Sequence, residues 1–379
     1  MKKKALVVSA LAGFIGTFLQ HDIYLLQNLG YEVHCAADGR SRAKDNEEYF
    51  KQFGTVFHQI DFSSKTSMSK DNARAYGQIT HLLKEQRYEV IHCHTPIPGV
   101  LVRLAAMKYR ITKRTKVIYT THGFYFHGGS PKKEWLIYYT IEKVMSIMSD
   151  AIITINNEDY QNAKRMWCKQ IYHINSVGLD TNKYANVDID REAYREGLGI
   201  SEDELMLLAV GELSDRKNHQ IVIHAMERAK TKNTVFVICG KAVSGRGTYD
   251  KLVVLAKQKN IRVVFLGHRE DIPAICHCAD IGVMPSTREG FGMAGVEMLA
   301  AGIPVISSNV HGIRDYMIDG VNGYMVSPYD VDAFADAIDK LAEKSTRDIM
   351  VSACVETAKK FDKSVSFKQM KEIYDEILQ

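Results

Sequence analysis

Residues 288–297 read Arg-Glu-Gly-Phe-Gly-Met-Ala-Gly-Val-Glu, a glycine-rich turn with a carboxylate on either side, Glu289 and Glu297, running on into the apolar residues 298–302. A helix is predicted to begin inside this stretch. Gly290 and Gly292 let backbone N–H groups approach a ligand at its first turn, where the helix field favours an anion. Arg216 and Lys217, which follow another short strand, add positive charge of the kind that binds phosphate. A diphosphate suits that combination. Eight residues separate the two glutamates, roughly 12 Å if the segment is helical throughout, about the span from a sugar across two phosphates to a ribose. Carboxylates accept hydrogen bonds from pairs of hydroxyls, so each end of a nucleotide-sugar finds an acceptor. Alone, Glu297 reads as a solvated helix residue and Arg216-Lys217 as surface charge. Their joint placement around a glycine-rich turn makes them candidates.

The elements that must position these residues alternate along the chain. Apolar or β-branched runs at 5–10, 32–37, 55–60, 90–95, 116–121, 151–156 and 171–175 read as strands, with helical patterns between them, such as Met68–Gln86. The pattern resumes at 205–211, 234–240, 263–267, 281–286, 303–308 and 323–326. Strand–helix alternation of this kind predicts parallel sheets covered on both faces. The α/β fold class is therefore two Rossmann-like, doubly wound parallel-sheet domains facing a cleft, with ligands at the carboxyl ends of the strands. The boundaries read as a first domain over 1–178, a polar linker over 179–204, a second domain over 205–360, and a C-terminal helix over 361–379 crossing back to the first. In such a sheet Arg216, Lys217 and Glu289 share one rim. Residues 13–16, Gly-Phe-Ile-Gly, read as a loop after the first strand; this lacks the full dinucleotide fingerprint, which disfavours a nicotinamide enzyme.

Composition fits this plan and excludes others. The 379 residues are 46% hydrophobic and 25% charged, with a formal net charge of +4, which gives no argument for nucleic acid. The opening residues 1–16 combine a basic start with an apolar stretch, but read better as a strand, loop and helix than as a signal peptide. No run of about 18 uninterrupted apolar residues is present. Seven scattered cysteines suit a reduced, cytoplasmic chain. Cys276-His277-Cys278 and His92-Cys93-His94 lack a second ligand pair at zinc spacing and read as packing residues. Asp188-Ile189-Asp190 imitates a metal-binding Asp-x-Asp but follows no strand, so it reads as solvated charge. No metal and no cofactor are expected. Lysine, arginine and helix amides would neutralise a leaving diphosphate.

The Glu-x7-Glu spacing around Phe291-Gly292, Lys217 after a glycine-terminated strand, and TTHGFYFHGG at 120–129 resemble glycosyltransferase family 4, retaining enzymes of the GT-B fold. The resemblance spans essentially the whole chain. Through HCHTPIPG (92–99) and residues 121–144 it points to bacterial transferases of capsule, exopolysaccharide and lipid-linked oligosaccharide assembly. The resemblance implies that Glu289 contacts the sugar hydroxyls, Glu297 the ribose and Lys217 the diphosphate, with the Phe291-Gly292-Met293 backbone against the donor. It places His122 near the reacting centre and Gly13 and Gly16 near the phosphates. One departure is Glu212, which stands where many members carry arginine; Arg216 is the available replacement.

The implied activity is a metal-independent, retaining hexosyltransferase. It moves a hexose or N-acetylhexosamine from a nucleotide-sugar, UDP over GDP, to a lipid-linked sugar acceptor. A uridine preference would rest on backbone contacts near Gly267 and His268. The stretch from Phe124 to Met148 combines Lys132, Lys133 and Lys143 with aromatic residues, which suits the anionic inner face of the cytoplasmic membrane as a peripheral site. A packed helix with a few exposed lysines is the plainer account of the same stretch. On the membrane reading, and by the resemblance, the acceptor is a polyprenyl-diphosphate-linked sugar. The alternatives are a GT-B-fold UDP-sugar 2-epimerase, which would need a further acid–base set at the sugar, and a non-catalytic nucleotide-sugar-binding protein.

Overall fold

A computed structural model describes residues 2–40, 45–63, 70–113, 115–242, 245 and 247–378. The chain divides into two compact units, one of Met1–Gly178 with Ser364–Gln379, the other of Leu179–Lys363.

The first unit is built on strands β1 (Lys4–Leu11), β2 (Glu32–Asp38), β3 (Val56–Gln59), β4 (Val90–His94), β5 (Lys116–Thr121), β6 (Ala151–Thr154) and β7 (Gln170–His173). They form one sheet in the order β3-β2-β1-β4-β5-β6-β7. The pairings are parallel, with Leu6 beside both His34 and Ile91. Strands buried on both faces must be apolar throughout rather than alternating. β4 obeys this with Val90, Ile91 and Cys93 buried, yet it also buries two histidines, His92 and His94. Order reverses between β1 and β4, the switch point at which open α/β sheets bind ligands.

The second unit carries β8 (Leu205–Val210), β9 (Thr234–Cys239), β10 (Val263–Gly267), β11 (Ile281–Met284), β12 (Val305–Ser308) and β13 (Gly323–Val326). Its sheet runs β10-β9-β8-β11-β12-β13, again parallel, and its switch point lies between β8 and β11. Every strand expected from the sequence is present. The long helix after β3 runs over Lys70–Glu85; Met68 and Ser69, where it was expected to begin, lie outside the described residues. Among the described residues no helix is long and apolar enough to cross a membrane.

Three expectations are corrected. The Gly-Phe-Ile-Gly stretch is not a loop: Ala12–Phe18 is helical, so Gly13 and Gly16 lie within a helix. Residues 179–204 are not a free linker but part of the second unit, with helices Thr181–Ala185 and Arg191–Gly197. Their polar residues are spent on anchoring. Buried Arg195 donates to the carbonyls of Cys278 and Ser201, both at 2.8 Å, and pairs with Asp280 at 3.2 Å. Asp190 caps its helix by accepting from the Ala193 N–H at 3.1 Å, which accounts for half of the Asp-x-Asp. The C-terminal segment belongs to the first unit from Ser364, through the helix Lys363–Leu378, rather than from residue 361.

Candidate active site

In the second unit the residues after β8 and β11 meet at the switch point. Glu289 is buried, and both of its carboxylate oxygens are engaged. Oε1 accepts from Lys217 Nζ and from Ser286 Oγ, both at 2.8 Å, and Oε2 pairs with Arg216 Nη1 at 2.9 Å. Burial by itself would raise the Glu289 pKa. Lys217 and Arg216, with Ser286, outweigh it and hold the carboxyl below its ordinary value. The two cations are therefore assembled by an internal anion, Glu289. Arg216 also donates to the Arg288 carbonyl at 3.0 Å and pairs with exposed Glu212 at 3.3 Å. The acidic residue at 212 thus binds the arginine four positions on, and Arg216 lies in the cluster.

The glycine-rich turn has a specific backbone geometry. Gly292 precedes the helix Met293–Ala300 with φ at 86°, a left-handed conformation that residues with a Cβ adopt reluctantly. Its carbonyl accepts from the Tyr316 hydroxyl at 3.1 Å, and buried Phe291 packs on Tyr316 and Phe361. Gly312 lies so close to the Gly290 carbonyl that any side chain there would overlap the turn. The turn that enters the helix is thus fixed from behind by Tyr316, Phe361 and Gly312.

Glu297 is half-buried on that helix. Burial raises its pKa, tempered by a hydrogen bond from Tyr184 and by the charges of Lys217 and Lys183. Tyr184 comes from the segment expected to be a linker, where no motif or periodicity marks it. Ser286 was more legible, as the residue closing the β11 run. Gly267 and His268 are not brought to this cluster. Gly267 ends β10, the outer strand, two places from β8, and exposed His268 follows it.

In the first unit His94 ends β4 and His122 follows β5. His94 Nδ1 lies 3.2 Å from His122 Nε2, and Phe14 sets its edge on the His122 ring at 4.8 Å. A cavity of about 20 Å³ is lined by Asp22, His94, Thr120 and His122 among others, room for about one water. Behind it runs a buried chain of hydrogen bonds. The Tyr374 hydroxyl donates to Asp22 at 2.8 Å, His92 Nδ1 meets the same hydroxyl at 2.6 Å, and His92 Nε2 meets Thr120 Oγ1 at 2.7 Å. Burial pushes His92 down to about 3, His122 to about 4 and His94 well below its ordinary value, so all three are neutral imidazoles near pH 7. Burial raises Asp22 to about 7, against the hydrogen bond from Tyr374.

Asp22, His92 and His94 offer ligand atoms within 4.8 Å of one another, a grouping that the spacing of His92-Cys93-His94 alone does not reveal. His92 already engages both ring nitrogens, so a cation there would have to displace one of those bonds. Cys276, Cys278 and Cys93 are buried packing thiols, and His277 Nε2 bonds the Tyr184 carbonyl at 2.6 Å. The two helical glycines differ. A side chain at Gly16 would collide with Tyr49, whose hydroxyl donates to the Gly16 carbonyl at 3.3 Å, so packing accounts for this glycine. Gly13 faces open space.

Two family models match the chain: Glycosyltransferase Family 4 over residues 23–182 and Glycosyl transferases group 1 over 190–361. EpsD of Bacillus subtilis (strain 168), whose name places it among glycosyltransferases, is 34% identical over 324 residues, 84% of this chain and 82% of that protein. The Escherichia coli UDP-Gal:alpha-D-GlcNAc-diphosphoundecaprenol alpha-1,3-galactosyltransferase is 28% identical over 72% of this chain and 71% of its own. Among solved structures, Anabaena Alr3699/HepE in complex with UDP superposes with a TM-score of 0.80 at 20% identity, covering 98% of this chain and 100% of that one. WaaG, a glycosyltransferase involved in lipopolysaccharide biosynthesis, gives 0.74 at 16% identity over 97% and 99%. These two likenesses establish the two-domain GT-B fold.

Proposed function

The chain belongs to the family 4 and group 1 glycosyltransferases, and from that premise we propose a retaining, metal-independent transfer of a hexose or N-acetylhexosamine from UDP-sugar to a polyprenyl-diphosphate-linked sugar. The observation that carries this reading is the Arg216–Glu289–Lys217 cluster at the switch point of the second sheet, beside the left-handed turn at Gly292. In the proposed reaction the donor diphosphate takes Lys217 and Arg216 from Glu289, with the first amides of the helix Met293–Ala300 assisting. Glu289, released from its cations, accepts hydroxyls of the transferred sugar, and Glu297 those of the ribose. The bond from the anomeric carbon to the phosphate oxygen breaks as the acceptor oxygen bonds from the same face. The acceptor proton passes to the departing phosphate oxygen, so charge and atoms balance. His122, neutral in its buried setting, is proposed to contact the sugar, oriented by His94.

UDP is favoured as the nucleotide because HepE was crystallised with it and the E. coli relative uses UDP-Gal. That relative's diphosphoundecaprenol substrate supports the lipid-linked acceptor, which would place the protein at the inner face of the cytoplasmic membrane. The test compares thermal stabilisation by UDP, GDP, ADP and NAD, with magnesium and with chelator. A ligand at a hundred times its Kd stabilises by about 2.7 kcal/mol. Stabilisation by UDP alone, unchanged by chelator and lost in Lys217→Ala, is expected. Stabilisation by NAD only, or by UDP only with magnesium, overturns the reading.

A further inference from the structure

A second pocket lies in the first unit, between the helices Pro96–Lys113 and Lys132–Met145. Its volume is about 170 Å³, and Ile97, Val100, Leu101, Tyr138 and Ile141 give it an apolar wall. Nothing in the donor chemistry uses it. Two of its polar members, Glu142 and Asn72, are already engaged within the protein. Glu142 pairs with buried Arg103 at 2.7 Å and accepts from the Tyr119 hydroxyl at 3.3 Å, and Asn72 accepts from the Ser63 N–H at 3.2 Å. A peptide backbone or a charged group would therefore find few partners here, whereas a hydrocarbon loses nothing on entering.

We propose that this pocket holds the sugar-proximal isoprene units of the acceptor's polyprenyl chain. The proposal rests on the lipid-linked acceptor of the function proposed above. Four observations carry it. An apolar cavity of about 150 Å³ binds benzene, so 170 Å³ suits a branched five-carbon unit. The pocket also starts where the chain leaves the two histidine strands: Pro96 and Ile97 follow His94 by two and three residues, and Tyr125 follows His122 by three. Sugar and tail would thus sit along one edge of one sheet. The helix forming one wall begins with exposed Lys132 and Lys133, charge complementary to a diphosphate. Finally, the pocket opens outward. Ile141 lines it yet is 42% exposed, with exposed Ile137 and Val144 one turn to either side, so the remaining chain has an apolar path away from the protein.

Prenyl monophosphates of one, two and three isoprene units test this by calorimetry against inorganic phosphate, below their micelle concentrations. Each fully buried methylene is worth about fourfold in affinity. After the loss from ordering the chain, one buried unit is expected to strengthen binding by on the order of a hundredfold over phosphate. Val100→Trp fills the pocket and should abolish the chain-length gain while leaving stabilisation by UDP unchanged. Ile141→Glu, at an exposed position that does not threaten folding, should reduce the gain at least tenfold. Affinity indifferent to chain length, or a gain that survives both substitutions, overturns the proposal. So does binding to anionic vesicles without binding of soluble prenyl phosphates, which would make the face a bilayer-docking surface. Concentration-dependent self-association that Ile141→Glu abolishes, again without prenyl binding, would make it a contact between copies and overturn it too. Loss of the UDP effect with the prenyl gain intact would sink the donor reading and leave this pocket standing.

Discussion

Acidification should unfold the first unit well before its carboxylates at ordinary values are protonated, and Asp22 should blunt the effect. His92, His94 and His122 are held neutral by burial but titrate near 6.5 when unfolded. As pH falls below 6.5 the unfolded state binds more protons, so their stabilisation is complete above 6.5 and is lost toward the folded values, about 3 for His92 and about 4 for His122. Each histidine that stays neutral at pH 5 forfeits about 2 kcal/mol relative to pH 7, about 6 for the three. Asp22 has the opposite sign. Its folded pKa near 7 lies above the unfolded 3.8, so its contribution is complete below 3.8 and is lost as pH rises through 7. Between pH 7 and 5 it returns about 2 kcal/mol, leaving a net loss of about 3–4. Both tryptophans, Trp135 and Trp167, lie in the first unit, so tryptophan fluorescence in urea reports on that unit alone. With a slope of about 1–3 kcal/mol per molar, the urea midpoint should fall by about 1–4 M from pH 7 to 5. Asp22→Asn keeps an acceptor for the Tyr374 hydroxyl but removes the compensation, so its loss should approach about 6 kcal/mol. A midpoint that does not move, or an Asp22→Asn profile parallel to the wild type, would refute the reasoning.

Glu289→Gln should cost about 3–5 kcal/mol, because it strands Lys217 and Arg216 beside a neutral amide. UDP should bind it at least as tightly by calorimetry, since the cations no longer need to leave an anion, while transfer falls at least a hundredfold. Gly312→Ala should overlap the Gly290 carbonyl, displace the turn and remove stabilisation by UDP, with the circular dichroism of the fold retained. Tyr184→Phe removes a hydrogen bond that lowers the Glu297 pKa. The donor KM should then rise at acidic pH more than in the wild type, with kcat little changed, in a pH profile of initial rates.

Period and composition determined a great deal here. Among the described residues thirteen parallel strands are short runs rich in apolar and β-branched residues, most of them buried, and that pattern made each legible in the sequence. The donor cluster was half legible for a related reason. Residues at the ends of strands in a doubly wound sheet share a rim, so Arg216, Lys217 and Glu289 could be placed together before any contact was known. What they do to one another could not. Whether a carboxylate lies open to hydroxyls or is bound to two cations depends on a few ångströms of side-chain reach, which only packing decides. The Gly13–Gly16 stretch was misread because glycines are as compatible with a helix packed closely on Tyr49 as with a phosphate loop. The 179–204 segment was misread because polar residues look solvated until Arg195 and Tyr184 are seen to bury their groups against the second sheet unit. The chain from Asp22 through Tyr374 and His92 to Thr120 joins residues as far as 352 positions apart. No local pattern encodes such a contact. It exists because the last helix, amphipathic like many others, finds its apolar partner on the first unit and carries Tyr374 into a buried site that demands a hydrogen bond.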